Sequence, residues 1–580
     1  MAKMINLTID GVKVSVEEGS TILDAAKKAK IKIPTLCFLK GINGIGACRM
    51  CLVDVKGVRN LVASCVYPVA EGMEVNTRSK RVLDARDRNL SLLMSNHRKD
   101  CSSCLKSENC KLREYAELNK IDDHLYDGIQ SHHEPDETSD CIIRDPSKCI
   151  LCKKCIAVCE KQQAVGVIHA NKRGFNTYIG CAFDEKMDKT ACVGCGQCTL
   201  VCPTGALTEK SSLLEIGAKV HDPDTIIVAS AAPSVRVALG EEFGLPYGTD
   251  VEGKMITALR RMGVKYVFDV NFAADLTIME EGTEFLDRLN NGGKLPLITS
   301  CSPGWINYVT AYYPEFMDNL STAKSPMQMQ GAITKTYWAQ KMGIDPKKIC
   351  TLHIMPCTAK KSEINYGCDA LKGMRDTDVV ITTRELARAI KQNGIDFVHL
   401  PDGKYDEMLG DYTGAGVIFG ASGGVMEAAL RTVADIVTGE DLKQIEYKKV
   451  RGIKGIKEAT INLKGKEIKV CAVSGLANAR EVLENIKSGK KQYHFVEIMC
   501  CPGGCVNGGG MPYIDYDKYD RDEVIKARAK ALYKNDSHRK LRKSHQNPSI
   551  IKIYKDFFEK PNSHKAHEIL HRSYKKREFI

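Results

Sequence analysis

Two cysteine runs in the first half of the 580-residue chain decide how it is organised: CILCKKCIAVCE at residues 149–160 and CVGCGQCTLVCP at residues 192–203. Each run has the spacing C-x2-C-x2-C-x3-C, and a proline follows the second run. This doubled pattern builds two four-iron clusters, because each run lends its fourth cysteine to the cluster of the other. One cluster is therefore expected on Cys149, Cys152, Cys155 and Cys202, and the other on Cys192, Cys195, Cys198 and Cys159.

The first 80 residues predict a different iron–sulfur module. Residues 5–16 alternate apolar and polar side chains around the Asp10-Gly11 turn, which predicts a β-hairpin, and a helix is expected to begin near Ser20. The four cysteines that follow favour a two-iron cluster, although their first gap is longer than in plant-type ferredoxins, and zinc or free thiols stay open. These cysteines are Cys37, Cys48, Cys51 and Cys65.

A third group combines one histidine with three cysteines: His97, Cys101, Cys104 and Cys110. Structural zinc sites use the same combination of ligands, so the residues alone leave a zinc site and a four-iron cluster open. If all these groups bind clusters, residues 1–210 form a path that conducts electrons to a buried site. The arrangement also resembles the large iron–sulfur subunit of respiratory complex I.

Composition limits the class of protein. The chain has 25 cysteines and no recognisable export signal, and thiols in the cytosol stay reduced, so metal ligation is favoured over disulfides. No run approaches the roughly 18 apolar residues of a membrane span, and a cytoplasmic location is expected. The net charge of +12 favours an acidic partner, either a small electron carrier or a nucleic acid, although a solvated basic surface explains it equally well.

From about residue 225 the cysteine density falls, and apolar strands alternate with amphipathic helices. Ligands in such folds lie beyond the carboxyl ends of the strands, so the residues after each strand are expected to carry the chemistry. The pattern predicts an α/β region of two lobes. Buried strands are expected at residues 225–229, 264–270, 295–299, 349–355 and 379–382, and a helix at residues 383–391.

Three cysteine motifs follow predicted strands. They read TSCSPGW at residues 299–305, MPCTAKKSE at residues 355–363 and EIMCCPGGCVNGGGMP at residues 497–512. In this order they resemble the signatures of the di-iron (FeFe) hydrogenases of anaerobic bacteria, of the monomeric clostridial type. The resemblance covers almost the whole chain, and it implies that the His97 group holds a four-iron cluster rather than zinc.

The resemblance also implies an H-cluster, in which a four-iron cubane shares a cysteine with a di-iron unit carrying carbon monoxide, cyanide and an azadithiolate bridge. Its protein ligands would include Cys357, Cys501 and the shared Cys505. Donors to the cyanides would come from a lysine and a Pro-Ser turn. Two methionines would line the pocket, although buried methionines after strands are more often plain core. These further pocket residues are Lys360, Pro233, Ser234, Met355 and Met499.

A proton path is implied in the segment IMEEGTEFLDR at residues 278–288. It places Glu281, Glu284 and Arg288 on one face of a helix, a spacing that by itself is typical of a solvated face. By the resemblance, protons would pass along Cys301, Glu281, Ser321, Glu284 and Arg288, with Cys301 nearest the bridging amine.

The sequence departs from the family pattern at Ser302, where relatives carry a cubane-ligating cysteine. We expect Ser302 to keep the ligand position and Cys301 to pass protons; in the alternative, the two exchange roles, although neighbours in extended backbone point opposite ways. A hydroxyl suits iron–sulfur iron less well than a thiolate. Cys500, Pro502 and Met511 also differ from relatives. Cys500 could be a spare ligand, a redox-sensitive group or, as we favour, a small buried residue.

The expected architecture is therefore an α/β multidomain chain with five parts. Residues 1–80 are a β-grasp 2Fe-2S ferredoxin-like domain, residues 81–125 a small 4Fe-4S domain with one histidine and three cysteine ligands, and residues 126–210 a ferredoxin-like domain with two 4Fe-4S clusters. Residues 211–512 are the two-lobed H-cluster domain, and residues 513–580 a helical wrapping segment with a basic face, like the iron hydrogenase small subunit.

The expected function is the reversible interconversion of dihydrogen with protons and electrons. One 2Fe-2S cluster and three accessory 4Fe-4S clusters would relay the electrons, and ferredoxin would exchange them with the enzyme. We expect a monomer with no nucleic-acid partner and no membrane attachment. A slow-turnover hydrogen sensor and a complex-I-like electron-transfer subunit are the alternatives.

Overall fold

The computed structural model describes residues 3–122, 125–126, 128–443 and 445–579. The expected domain ends at Met1 and Ile580 lie outside the described residues. The N-terminal part is a mixed five-stranded sheet with a helix packed on it. In sheet order its strands are Val12–Glu17, Met4–Ile9, Glu74–Asn76, Leu52–Val55 and Val62–Ala63, and the helices are Ile22–Lys28, Lys80–Ser95 and Lys111–Leu118.

Local turn and cap chemistry explains the first elements. Asp10 and Gly11 both take positive φ values, 47° and 82°, which suit the twist of the flanking antiparallel strands. The following helix begins with a capping box, in which Thr21 and Asp24 each bond the backbone N–H of the other. The predicted hairpin and helix are therefore both present.

The segment with the doubled cysteine runs is closed by an antiparallel strand pair at its two ends. Each run turns into a short helix at its third cysteine, Cys155 or Cys198, and the two helices pack on each other. This packing turns the two runs toward one another. The strands are Ile142–Arg144 with Leu207–Glu209 and His169–Asn171 with Tyr178–Gly180, and the helices are Lys154–Ala157 and Gln197–Val201.

Two four-stranded sheets form the larger part of the chain. The first is wholly parallel, and in the second an antiparallel strand sits at one edge. In sheet order the first contains Tyr266–Asp269, Ile226–Ala231, Ile349–Met355 and Val379–Thr382, and the second contains Leu297–Ile298, Phe495–Met499, Lys466–Ser474 and Ile456–Leu463. The predicted two-lobed α/β class is confirmed.

Helices cover both sheets, and the longest, Val270–Asn291, is buried along most of its length. It packs against Pro326–Ile333 and Gly424–Thr438, so its inner face is surrounded by protein rather than water. The other helices of this part are Leu213–Val220, Pro233–Arg236, Glu252–Arg261, Pro303–Tyr312, Ala339–Met342, Lys360–Glu363, Thr383–Gln392, Gly414–Val417 and Leu476–Lys487.

A buried ion-pair cluster fixes the cluster-binding segment on the α/β part. Glu209 accepts hydrogen bonds from Arg384 at 2.6 Å and from Arg388 at 2.7 Å. The two guanidinium groups outweigh the effect of burial and hold the pKa of the Glu209 carboxyl well below its usual range. Arg384 also donates to the carbonyl of Gly509 at 2.9 Å, which ties the third cysteine motif to the same cluster.

The C-terminal segment contains the helices Arg521–His538, Pro548–Ile553 and His564–Leu570. Its apolar side chains face inward, and Phe558 and Leu570 are fully buried in one of the hydrophobic cores. Tyr554 donates a hydrogen bond to the buried Glu280 of the long helix. The segment therefore completes the core of the α/β part. Within the described ranges, no helix is long and apolar enough to cross a membrane.

Candidate active site

A cavity of about 80 Å³ lies where strand ends from both sheets converge. The residues from three chain segments that follow strands contribute most of its chemistry. Ten residues that the sequence analysis places around a cofactor all line it: Pro233, Ser234, Cys301, Ser302, Met355, Cys357, Lys360, Met499, Cys501 and Cys505.

Five cysteines line the wall, Cys301, Cys357, Cys500, Cys501 and Cys505, and the last-named pair and Cys357 lie close enough to affect one another electrostatically. Cys357 follows a strand of the first sheet, and Cys501 and Cys505 follow a strand of the second. Burial is the main cause that raises the pKa of Cys505 to about 12, and the charge of Cys501 is the next. A thiolate there needs a cation to offset the loss of solvation, and soft sulfur donors favour iron–sulfur iron over hard cations. The donor set fits an iron–sulfur centre.

Glycines bring the backbone of the third motif against the second. A Cβ atom at Gly508 would lie 2.2 Å from the carbonyl oxygen of Pro356, and one at Gly504 would lie 2.6 Å from the backbone nitrogen of Ser422. Gly504 also has a φ of 97°, which side-chain-bearing residues rarely adopt. Any larger residue would push the Cys505 loop away from the cavity.

The cavity also offers donors for an acceptor-rich group. The Ser234 hydroxyl is fully buried and has no hydrogen-bond partner among the described residues. Lys360 lines the same wall, where its Nζ donates to Glu363 at 2.7 Å and retains further protons for a ligand. An orphaned buried hydroxyl is costly unless a ligand accepts its hydrogen bond. Both side chains fit the cyanide-bearing unit that the sequence implies.

Ser302 and Cys301 take different positions. Ser302 lines the cavity, and its Oγ accepts a hydrogen bond from the backbone N–H of Cys500 at 3.2 Å. Cys301 lies beside Glu281, and removal from bulk water, followed by the charge of that carboxylate, raises the pKa of its thiol well above the usual range. This arrangement suits the expected roles, with Ser302 beside the ligand thiols and Cys301 at the start of the relay.

Titratable side chains continue outward from Cys301. Glu281 lies against the Ser321 hydroxyl, which donates to Glu284 at 2.9 Å. Glu284 in turn accepts from Arg288 at 2.6 Å, and Arg288 is the half-buried outer end of the series. The structure therefore brings together all five residues of the expected proton path. The long helix supplies three of them from one face, as its spacing predicts.

Comparison with known proteins decides the family. The C-terminal domain of the iron-only hydrogenase large subunit matches residues 225–509, and the iron hydrogenase small subunit matches residues 522–577. The N-terminal matches are a 2Fe-2S cluster binding domain at residues 2–80, the NADH-ubiquinone oxidoreductase-G iron–sulfur binding region at residues 86–124 and a 4Fe-4S dicluster domain at residues 148–206.

Similar proteins agree along the whole length. The NADP-reducing hydrogenase subunit HndD of Solidesulfovibrio fructosivorans is 47% identical, and the alignment covers 100% of both chains. Iron hydrogenase 1 of Clostridium pasteurianum is 41% identical over 99% of this chain and 100% of its own. The chain belongs to the FeFe hydrogenases. This hydrogenase is also similar to the solved structure of the apo FeFe-hydrogenase HydA1 from Chlamydomonas reinhardtii, with 38% sequence identity and a TM-score of 0.57. The match covers 63% of this hydrogenase and 99% of the HydA1 chain.

This hydrogenase is accordingly an oxidoreductase that acts on H2, with iron–sulfur domains that relay electrons. The expected family, fold class and reaction class are confirmed. A complex-I-like subunit without hydrogen chemistry is not compatible with a hydrogenase domain across residues 225–509.

The structure of this hydrogenase also gathers the accessory thiols. Cys149, Cys152, Cys155 and Cys202 together line one small cavity of about 20 Å³. The fourth thiol of the first run, Cys159, lies instead among those of the second run. The crossing of the fourth cysteines that the spacing predicts is therefore present in the geometry.

The N-terminal cysteines of the hydrogenase form two pairs. The sulfur atoms of Cys51 and Cys65 are 3.3 Å apart, and Cys37 lies beside Cys48. Two pairs of thiols suit a cluster in which two irons share four cysteines.

In the His97 group, Cys104 lies near Cys110. His97 is buried, and burial lowers its pKa to about 4, which keeps the imidazole neutral as a metal ligand requires. Its Nδ1 has no hydrogen-bond partner in the part of the chain that the structure describes.

The pH dependence of stability tests the Glu281 position in this hydrogenase. Burial, followed by the Glu284 charge, raises the Glu281 pKa from 4.5 to about 8. Between these two pH values the folded protein retains a proton that the unfolded chain releases. The contribution of Glu281 to the free energy of unfolding is therefore fully present below pH 4.5 and is lost as the pH rises through about 8. We expect the thermal midpoint of the wild type to fall relative to that of Glu281→Gln between about pH 5 and pH 8. Parallel curves for the two proteins would contradict a buried, protonated Glu281.

Sequence reasoning missed several residues that shape the site. Gln163 carries no motif signal, yet its buried amide bonds the Cys500 carbonyl across the domain junction. Glu363 belongs to the second motif, but nothing in its spacing indicates that it pairs with Lys360. The only sequence signal for this pair is that Glu363 lies three residues after Lys360, a spacing at which side chains on one helix can meet.

Proposed function

We propose that this hydrogenase interconverts dihydrogen with two protons and two electrons at an H-cluster held by Cys357, Cys501 and Cys505. The observation that carries the proposal is the convergence of these thiols on one cavity from two sheets. When bound, the H-cluster supplies the iron chemistry of hydrogen cleavage and formation. The protein ligates it, orients it, keeps water away and moves protons. Ser302 is proposed to face the same four-iron part.

The pocket residues divide these tasks. Ser234 and Lys360 donate hydrogen bonds that hold the di-iron unit in one orientation, and Pro233 starts the short helix that presents Ser234. Met355 and Met499 cover the unit with apolar surface, which keeps it away from solvent.

Protons are proposed to enter through Arg288 and Glu284 and to reach Cys301 by way of Ser321 and Glu281. A general acid works best when its pKa lies near the ambient pH, and the raised Glu281 pKa of about 8 meets this condition. Cys301 then holds the proton next to the reacting centre. The side chains of Glu281 and Glu284 are both buried, so the series is screened from bulk water along its inner part.

Electrons are proposed to pass through one 2Fe-2S cluster and three accessory 4Fe-4S clusters in the N-terminal 210 residues. The second cysteine run packs directly on the site motifs: Thr358 donates to the Gly194 carbonyl at 2.7 Å, and Gln197 donates to the Asn507 carbonyl at 2.8 Å. The cluster on this run is therefore the nearest to the cavity. We propose the domain limits 1–80, 81–125, 126–210, 211–512 and 513–580.

Ferredoxin is the proposed electron partner, because a net charge of +12 attracts an acidic carrier. We propose a monomer without nucleic-acid or membrane partners, located in the cytoplasm, where its many thiols stay reduced. A second candidate role is that of an electron-exchanging subunit in a nucleotide-reducing complex. The full-length similarity to HndD, a subunit of an NADP-reducing hydrogenase, favours it.

The test uses protein matured with the di-iron cofactor under anaerobic conditions. Infrared bands of bound cyanide and carbon monoxide are expected, together with hydrogen uptake coupled to ferredoxin reduction by the purified chain alone. Activity that appears only after partner subunits and NADP are added would favour the complex. Bands with turnover near background would favour the sensor alternative, and absence of the bands would reject the H-cluster.

A further inference from the structure

Cys500 is a buried cysteine that none of the proposed clusters uses, and only 4% of its surface is exposed. It lies between Cys195 of the second cysteine run and Cys501 of the cavity. A Cβ atom at Gly304 would lie 2.7 Å from the Cys500 sulfur and 3.7 Å from the Cys195 Cβ, and Cys501 is the next residue in the chain. Cys500 therefore places a sulfur atom beside proposed ligands of both centres.

Three neighbours hold the Cys500 thiol in this position. Its backbone N–H donates to the Ser302 Oγ at 3.2 Å, which fixes the peptide. The Gln163 Nε2 donates to the Cys500 carbonyl at 3.1 Å and approaches its sulfur at 3.5 Å. At Gly304, a Cβ atom would lie 2.7 Å from the Cys500 sulfur, so the space for the thiol exists because this position has no side chain.

The chemistry of a thiol at this place follows from its surroundings. A cysteine that binds no metal is an uncharged thiol at neutral pH, and its S–H is a weak hydrogen-bond donor. A thiolate bound to iron is a good acceptor, and hydrogen bonds to ligand sulfurs are among the main determinants of iron–sulfur potentials. A donor to a ligand sulfur stabilises the reduced cluster, because reduction adds negative charge to that sulfur.

We propose that Cys500 is a positioning residue for electron transfer: its S–H donates to the Cys195 thiolate and, in contact with Cys501, links the nearest accessory cluster to the H-cluster cubane. Each electron that leaves the cubane reduces the accessory cluster by one electron, and the Cys500 proton is not transferred. The inference rests on the proposed roles of Cys195 and Cys501 as cluster ligands.

The link has two expected consequences. The accessory cluster held by Cys195 is easier to reduce than it would be without the donor, so its midpoint potential is raised. Electron exchange between the two centres is also faster, because the thiol fills the gap between their ligand sulfurs with a bonded contact instead of a void.

The test compares three variants of the matured full-length enzyme: Cys500→Ala, Cys500→Ser and, as a matched control, Cys350→Ala. Cys350 is equally buried but lies on the strand Ile349–Met355 at the end remote from the cavity. The first two readouts are the iron content and the midpoint potential of each cluster, measured by EPR-monitored redox titration. The third compares the rate of hydrogen turnover with an electron acceptor to the rate of hydrogen–deuterium exchange, which needs no electron relay.

In Cys500→Ala we expect full iron content, a lowered midpoint potential for the accessory cluster and several-fold slower acceptor-linked turnover, with isotope exchange retained. Cys500→Ser, which keeps an O–H donor, should recover most of the potential shift, and Cys350→Ala should behave as the wild type. An unchanged potential in Cys500→Ala would overturn the proposal, and so would loss of iron, which would make Cys500 a ligand. Failure of the wild type to bind the clusters at all would instead reject the proposed function.

Discussion

Replacing Cys505 with alanine is expected to abolish hydrogen turnover and to leave the N-terminal clusters in place. Cys505 lies at the end of the glycine loop where the two sheets meet, and its thiol is grouped with those of Cys357 and Cys501. Removing a shared thiolate disconnects the two parts of the proposed cofactor. The backbone packs tightly at Gly504 and Gly508, so the loop has little room to bring another residue to the position of Cys505.

Infrared spectroscopy and EPR of matured Cys505→Ala protein provide the measurement. We expect the cyanide and carbonyl bands to disappear while the EPR signals of the accessory clusters remain. Cys471→Ala is the control, because Cys471 is a buried cysteine that belongs to the strand Lys466–Ser474 and does not line the cavity. Retained bands and turnover in Cys505→Ala would show that the cavity thiols do not hold the cofactor.

The buried parallel strands could be predicted closely from the sequence. Ile349–Met355 and Val379–Thr382 have the predicted bounds, because each is a continuous apolar run of strand length that ends at a polar or cysteine motif. The strand expected at residues 295–299 is reduced to Leu297–Ile298. Pro296 has no N–H to donate, so regular pairing begins only after it.

Other parts of the fold depend on tertiary contacts that leave no periodic signal. Ile456–Leu463 is an antiparallel edge strand in which six of the eight residues are partly or fully exposed, so no buried run marks it. The C-terminal helices are rich in charge, yet Leu570 and Phe558 complete a core whose other members come from distant segments. Local composition predicts a surface segment there, and only packing shows otherwise.

The candidate site shows the same division. Its cysteines and glycines could be found because ligation and close backbone approach demand those residue types at fixed spacing. Gln163 and Glu363 could not, since an amide or carboxylate that orients a neighbour can be supplied from many positions. The Cys500 thiol was visible as a departure from the family pattern, but its contacts with Cys195 and Cys501 appear only when the domains are packed together.

Replacing Cys301 with alanine is expected to slow hydrogen evolution and uptake by roughly 10²–10⁴-fold, the usual contribution of a positioned proton-transfer group. Cys301 is the cavity residue beside Glu281, and the relay then runs outward through Ser321 and Glu284. Alanine leaves the proposed ligand thiols untouched, so the cofactor should load normally. The change therefore separates proton delivery from cofactor binding, which Cys505→Ala does not.

The measurement is hydrogen turnover of matured Cys301→Ala together with its infrared spectrum. Wild-type bands with strongly reduced turnover are expected, and Glu281→Gln should show the same combination, since an amide holds its position in the series but cannot pass the proton on. Cys301→Asp tests the same point from the other side, because a carboxyl keeps a proton-transfer group in place and should recover part of the rate. If Cys301→Ala instead lost the cyanide and carbonyl bands, Cys301 would be an iron ligand and Ser302 would occupy the relay position.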